Sequence, residues 1–423
     1  MLAQGPVLAA GFAVTAQGAA ASGKGGAFTA QADDPSALYY NPAGISQLKT
    51  ARVLVGTTVI IPQTTYSPTQ AGRATSEENQ TFFLPQLYVT APVGQTVTAG
   101  LGLYVPFGVA TDWPVDWDGR FQVTYISVRA TMLSPTLSWR LTPALAVAGG
   151  LNFASVKLTQ RRQINLSNVG ENPLVGVGPL PGNPEGSVEL EGDASGLGYN
   201  LGALVVPFDR WQLGLSFRSR VHAEVKNGHA DFTIPFAPFA PSFPDGGVRT
   251  ELDFPPSLRA GVLFRPTPQW NIEGDAMWTG WSSLDQMVVE FDQGLPPPGT
   301  DTTSFLWDDV MAYSIGAQYR PSTIALRGGY TLDFSPIPDN TIGPILPDGN
   351  RHWFSFGVGY EGPRWSTDLG YHLILFRRLK DNQFGDSFSS AGAPPAIPSI
   401  DARANGKYRT VVHSLVLSAA YRY

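Results

Sequence analysis

From residue 50 onward the chain alternates apolar and polar positions, in segments joined in turn by a connection of a few residues and by a much longer one. The tight connections fall at Ala91–Thr96, Leu141–Ala144, Pro207–Arg210, Arg265–Gln269, Arg320–Thr323 and Glu361–Arg364. The long ones are Tyr66–Gln80, Thr111–Phe121, Leu166–Gly186, Phe232–Val248, Asp292–Asp301, Ser335–Asn350 and Leu379–Gly406. Six tight turns and seven long loops join fourteen strands. Short turns at one end, long loops at the other and an even strand count predict an all-β fold: a 14-stranded antiparallel transmembrane β-barrel of the bacterial cell outer membrane.

The strand faces carry the same message. From Trp365 the odd positions read Trp365, Thr367, Leu369, Tyr371, Leu373 and Leu375, and the even ones Ser366, Asp368, Gly370 and His372. Ile324–Phe334 and Trp270–Trp278 repeat the pattern. Alternation alone fits a soluble sandwich, whose apolar face turns to the core, as well as a barrel, whose apolar face turns to lipid. Aromatic placement separates them. Trp139, Phe208, Trp211, Phe264, Trp270, Tyr319, Tyr360 and Trp365 all lie within a few residues of a tight turn, as a girdle at one membrane interface requires.

Composition agrees. The 423 residues are 43% hydrophobic and only 15% charged, and the mean hydropathy of −0.05 hides a barrel from any search for helical spans. The 46 glycines and 36 prolines suit turns and loops better than helices. A net charge of −6 without basic blocks argues against nucleic acid as a partner. The absence of cysteine fits an oxidising envelope compartment.

The two ends differ in kind. Met1–Ala9 is apolar but short and lacks a basic start, so it reads as the remnant of a targeting segment. Residues 1–50 form one expected unit and 51–423 the barrel. Ala10–Ala30 is nearly all small residues, and Asp33–Ile45 reads DDPSALYYNPAGI, too poor in apolar bulk to fold alone. Such a segment either folds against the lumen or hangs free as a periplasmic tail. At the other end Leu415, Leu417, Ala419, Tyr421 and Tyr423 alternate up to a terminal aromatic, as in a strand signal read by the barrel assembly machinery or simply a last amphipathic strand.

Several of these segments, in their order and spacing, resemble the FadL/TodX-type outer-membrane transporters of long-chain fatty acids and other hydrophobic compounds. They are Ala10–Phe12, the triplet Asn41, Pro42 and Ala43 after an acidic pair, Phe217–Val225, PQWNIEGDAMWTGW at Pro268–Trp281, DFSPIP at Asp333–Pro338 and PDGNRHW at Pro347–Trp353. The resemblance implies a monomeric fourteen-stranded barrel plugged by an N-terminal hatch. It implies a hydrophobic ligand caught in an outer apolar groove, passed to a lumenal pocket at Phe12, and released sideways through a kinked third strand.

The residues themselves offer these parts. The third strand contains Pro106, Phe107 and Gly108, a proline that lacks a ladder donor beside a permissive glycine, which predicts a kink or a strand end. Phe232, Ile234, Phe236, Phe239 and Phe243 form an expected exposed apolar cluster in one long loop, and Leu174, Val175, Val177 and Leu180 another. They suit ligand capture or insertion into lipopolysaccharide. Arg161 and Arg162 fall on opposite faces of the fifth strand, and Arg162 matches the arginine that the family sets near a carboxylate. A second basic residue expected near the tenth strand is replaced by SFLWDD at Ser304–Asp309, which leaves room for uncharged hydrocarbons.

Catalysis is not expected: His413 and Ser414 are adjacent and so on opposite strand faces, and Asp368 and His372 share a lumenal face without an obvious serine. No spacing resembles a metal site, and no cofactor is expected. The sequence thus predicts passive uptake of hydrophobic molecules, with a general diffusion porin for small polar solutes as the alternative. A cysteine placed in Leu379–Gly406 should react with an impermeant reagent on intact cells and one at Thr142 should not; equal labelling would reverse or abolish this orientation.

Overall fold

The computed structural model describes residues 11–68, 72–166, 185–292, 299–339, 342–378 and 404–423. Fourteen antiparallel strands close into a barrel. They are β1 (Arg52–Pro68), β2 (Phe82–Val93), β3 (Val97–Asp112), β4 (Tyr125–Thr142), β5 (Leu145–Asn165) and β6 (Glu185–Phe208). Four follow in two pieces each: β7 (Trp211–Arg218, Val221–Thr233), β8 (Gly246–Phe254, Ser257–Phe264), β9 (Trp270–Thr279, Gln286–Phe291) and β10 (Gly299–Ser304, Val310–Tyr319). The rest are β11 (Ile324–Asp333), β12 (Arg351–Glu361), β13 (Trp365–Arg378) and β14 (Gly406–Arg422). Closure comes from β1, which pairs with β14 from Arg52↔Arg422 to Pro68↔Gly406 and so leaves the wall without a free first or last edge.

All six tight turns stand where the sequence sets them, between the strand ends just given. The predicted lipid face is exposed: Leu326, Trp365, Leu369, Leu415 and Leu417 all project outward. The girdle pairs its rings across neighbouring strands, with centroids 4.6 Å apart for Trp211 and Phe264, 4.8 Å for Trp270 and Tyr319, and 4.6 Å for Trp365 and Tyr421.

The interruptions in β7 to β10 are the feature that alternation does not reveal. They lie in one row, because Arg218 faces Ser257, Ser257 faces Thr279 and Thr279 faces Val310 across the ladder. Pro255 and Pro256, neither of which has an N–H, break β8 at that row. Gly280 and a short 3₁₀ turn at Trp281–Ser283 break β9. Above the row, β5, β6 and the outer pieces of β7, β8, β9 and β10 form a six-stranded sheet.

Residues 11–50 lie against the inner faces of the strands. They contain two single-turn helices, α1 (Ala19–Ser22) and α2 (Ala37–Tyr40), and a 3₁₀ stretch at Pro42–Gln47. Small residues on both sides permit the approach. A Cβ at wall residue Gly214 would stand 2.1 Å from the Thr29 carbonyl oxygen, and one at Gly329 would stand 2.2 Å from the Lys24 backbone. A free periplasmic tail is therefore not what these residues form.

In the first long loop, Glu77 lies beside β1 and its amide donates to the Thr64 carbonyl at 3.1 Å. Burial, reinforced by the Asp112 carboxylate, pushes its carboxyl up to about 8. A raised folded-state value means that the docked loop holds a proton which the undocked loop releases, so docking is strongest below about pH 4.5. It weakens as pH rises toward 8 and is flat above. Amide exchange of residues 75–78 should accelerate across that window in the native chain and lose its pH dependence, beyond the intrinsic exchange chemistry, in Glu77→Gln. A pH-independent native loop would contradict the assignment.

Candidate functional site

The site begins where β3 leaves its neighbour. β2 and β3 pair from Leu87↔Leu103 to Val93↔Val97 and no further, although Phe82–Gln86 of β2 still pair with β1. On its other side β3 stays paired with β4, but the register slips between Tyr104 and Phe107. Pro106 therefore bulges the strand without ending it, and β3 continues to Asp112. Up to Leu103 the strand alternates exposed and covered residues, whereas Tyr104–Pro106 and Gly108–Thr111 are all buried. The strand has turned inward.

The backbone groups at this bend find partners in the N-terminal segment. The Val14 amide donates to the Pro106 carbonyl at 2.7 Å, the Gly108 amide donates to the Phe12 carbonyl at 2.8 Å, and Gln17 Nε2 donates to the Val105 carbonyl at 2.9 Å. Ala13 and Phe107 form an isolated antiparallel bridge. Beside it, the Phe12 ring meets Trp281 at 4.8 Å, Trp307 at 5.8 Å, and Phe107 and Phe254 each at 6.1 Å. Phe254, Trp281 and Trp307 come from the row of strand interruptions. Gly11 enables the approach: its φ is +66°, and a Cβ there would stand 2.5 Å from the Trp281 ring.

A second apolar cluster lies on the concave face of the outer sheet. Val188, Leu190, Ala230, Val248, Met287 and Val289 are buried there, with Ile164, Phe232, Phe291 and Phe305 packed around them. Phe305 also packs against the inner cluster, where its ring lies 5.5 Å from Trp307. Apolar surface thus runs unbroken from the outer sheet to the bend in β3. Arg162 faces inward at the edge of this sheet and its Nη2 lies 2.6 Å from Asp301 Oδ2 of β10, whereas Arg161 faces outward and pairs with Glu189.

The loop from Phe232 to Val248 departs in part from expectation. Phe232, Ile234, Phe236 and Phe243 are half-buried, but Phe239 is fully buried, with Phe236 edge-on at 5.3 Å. Phe239 anchors the 3₁₀ turn Ala240–Ser242 instead of presenting a ring to solvent. Leu174, Val175, Val177 and Leu180 lie outside the described residues.

Charge and hydrogen bonds hold the N-terminal segment. Asn41 Nδ2 donates to the Thr29 carbonyl at 2.8 Å and to the Ala203 carbonyl of β6 at 2.9 Å, its Oδ1 accepts from the Ala43 amide, and Pro42 opens the 3₁₀ stretch. Ala43 packs on Ala146 and Leu204. Lys24 and Glu273 form an ion pair at 3.0 Å with both side chains at 0% exposure. Glu273 also accepts from the Ala30 and Gln31 amides, and Asp275 from those of Phe28 and Thr29. At the tip, the Gly11 amide donates to Asp348, and Arg351 donates to both the Gly11 carbonyl and Asp348. Burial pushes the Asp34 carboxyl up to about 6 against two hydrogen bonds from Ser36, and raises the Tyr40 hydroxyl.

A cavity of about 30 Å³, room for one or two waters, lies between this segment and the wall. Ser22 Oγ, Thr29 Oγ1, Asp275 Oδ1, Trp353 Nε1 and His372 Nε2 line it without a protein partner. The sequence reading missed Ser355, whose Oγ lies 2.8 Å from His372 Nδ1. The pair is buried, and among the described residues no carboxylate is bonded to the imidazole, so the third member of a hydrolytic triad is missing there. Asp301, Asp348, Phe254, Trp281 and Trp307 were also missed, since only cross-strand register brings them to the site.

Lys24→Met tests what anchors the segment. It leaves the Glu273 carboxylate buried without its cation, a loss of about 3–5 kcal/mol from that attachment. Small-ion conductance in planar bilayers should rise while heat-modifiable gel mobility, a measure of the barrel itself, stays native. Unchanged conductance with native mobility would mean that the segment does not obstruct the lumen.

Residues 1–423 match the family model described as outer membrane protein transport protein (OMPP1/FadL/TodX). The long-chain fatty acid transport protein of Salmonella typhi is 24% identical over 90% of each chain. Outer membrane protein P1 of Haemophilus influenzae is 25% identical over 90% of this chain and 89% of its own. Among solved structures, a FadL homologue of Pseudomonas aeruginosa superposes with a TM-score of 0.82 at 18% identity, covering 98% of this chain and 100% of that one. The Ralstonia pickettii toluene transporter TbuX gives 0.70 at 17% identity, over 96% and 98%. A match along the whole chain, on a closed fourteen-stranded barrel with its N-terminal segment inside, makes this protein a member of the OMPP1/FadL/TodX family of outer-membrane transport proteins.

Proposed function

We propose that the protein is a passive channel for hydrophobic molecules that captures them at the outer sheet, passes them to the aromatic pocket around Phe12, and releases them sideways into the membrane between β2 and β3. The observation that carries this reading is the parting of those two strands beyond Leu103, next to the rings of Phe12 and Phe107. Relatives named as transporters of long-chain fatty acids and of toluene support the substrate class. A porin route is disfavoured by the N-terminal segment, whose side chains are nearly all buried against the wall.

Half-buried Phe232 and Phe236 would make first contact with substrate, and Phe239 would hold their loop in shape. The staging has a physical rationale. Each buried methylene gains about 0.8 kcal/mol, so sixteen carbons sealed in one pocket would gain roughly 12 kcal/mol before costs and would leave slowly. Two sites joined through Phe305 divide that gain between successive steps. Asn41, Pro42 and Ala43 fix the rear of the N-terminal segment, so movement of the tip at Phe12 is the smaller rearrangement.

The test is to replace Pro106 and Gly108 with Val. Both changes favour a regular strand, so the barrel should assemble with native heat-modifiable mobility. Ligand binding to purified protein should persist, and uptake of a hydrophobic substrate by cells should collapse. Uptake that survives in a folded, ligand-binding variant would send the molecule out through the periplasmic end and end the case for a lateral exit.

A further inference from the structure

Given that route for hydrophobic molecules, we infer that it favours uncharged ones over long-chain carboxylates and that Asp301 sets the preference. Arg162 is the inward-facing cation at the edge of the outer apolar cluster, and a ligand carboxylate would look for it there. Its Nη2 already lies 2.6 Å from Asp301 Oδ2, with the two side chains 22% and 20% exposed. The protein thus supplies its own carboxylate at the place where a fatty acid would put one.

The competition is unequal. A tethered carboxylate acts at an effective concentration in the millimolar range or above, whereas hydrophobic acids are presented at far lower free concentrations. An incoming anion that fails to displace Asp301 must desolvate against apolar side chains with no partner, a penalty that an alcohol or hydrocarbon largely avoids. Three further cations of the outer strands and loops are matched too: Arg120 with Glu185, Arg161 with Glu189, and Arg249 with Asp292.

A second observation points the same way. Between Arg265 and Arg320 the chain carries Glu273, Asp275, Asp285, Glu290, Asp292, Asp301, Asp308 and Asp309, and no Lys or Arg. This stretch is β9 and β10 with their interruptions, the part of the wall that supplies Trp281, Phe305 and Trp307 to the pocket. Lys24 neutralises Glu273 and Arg249 pairs with Asp292, but Asp308 and Asp309, which directly follow Trp307, are exposed and have no ion pair among the described residues, so an anionic ligand meets charge of its own sign there.

The experiment compares 1-dodecanol with dodecanoate, equal in chain length, by displacement of a fluorescent apolar probe from purified protein at neutral pH. Native protein should bind dodecanol at least about tenfold more tightly than dodecanoate. Asp301→Asn should tighten dodecanoate by about tenfold and leave dodecanol within about twofold, and Arg162→Gln added to it should erase the gain. Equal native affinities for the two ligands would overturn the inference while leaving hydrophobic transport intact, even if no variant folded. Equal weakening of both ligands by Asp301→Asn would reduce the pair to a clasp between sheet edges and also overturn it. Failure of native protein to bind either ligand would bring down the transport reading itself.

Discussion

A membrane wall cannot leave backbone donors and acceptors bare, because hydrocarbon offers them no partner and each unpaired group costs several kcal/mol. Closure of β1 on β14 meets that demand for the barrel as a whole. The bend in β3 breaks it locally. Its backbone is paired again by Phe12, Val14 and Gln17, which makes the N-terminal segment part of the wall at that point as well as a body inside it. In the proposed route, opening the wall and moving the tip of the segment would therefore be one event seen from two sides.

The rest of the segment is held quite differently. Lys24, Glu273, Asp275 and Asn41 make charge-assisted or doubly satisfied contacts in buried surroundings, and removing one partner leaves another polar group stranded. The tip depends on two backbone bonds, edge contacts of one phenyl ring, and the Asp348 and Arg351 side chains. Asp348 stands just before β12, at the end of the long loop after β11, so the grip on the tip comes from that loop as well as from the wall. In the proposed route, that loop would lie on the side from which substrate arrives, while the part of the segment that it holds is the part nearest the exit.

Much of the architecture could be read from the chain, and for a definite reason. Strand geometry with lipid on one face gives a period of two, and the interface places aromatics near five of the six tight turns, so Trp139, Trp211, Trp270 and Trp365 mark strand ends without any knowledge of neighbours. The kink was legible because proline and glycine act on their own backbone. The pairing of Arg162 with Asp301 was not, since 139 residues of accumulated register separate them and each bulge shifts the count. Phe239 misled because a phenylalanine in a proline-rich loop looks like a capture residue until the loop is seen to fold around it. Ser355 stayed hidden as a neighbour of His372 because it stands alone in an ordinary lumenal position, and only the pairing of β12 with β13 makes them partners.

The aligned interruptions in β7, β8, β9 and β10 divide the wall into two storeys joined by short single-chain connectors. Ladder bonds run sideways within each storey, while between them the breaks carry few. Below the row, side chains answer to bilayer thickness and cannot vary freely; above it, they answer to whatever arrives from the medium. In a chain built this way, a change in the outer pieces of β7 to β10 need not disturb the register of the pieces below them, because the two are paired in separate ladders.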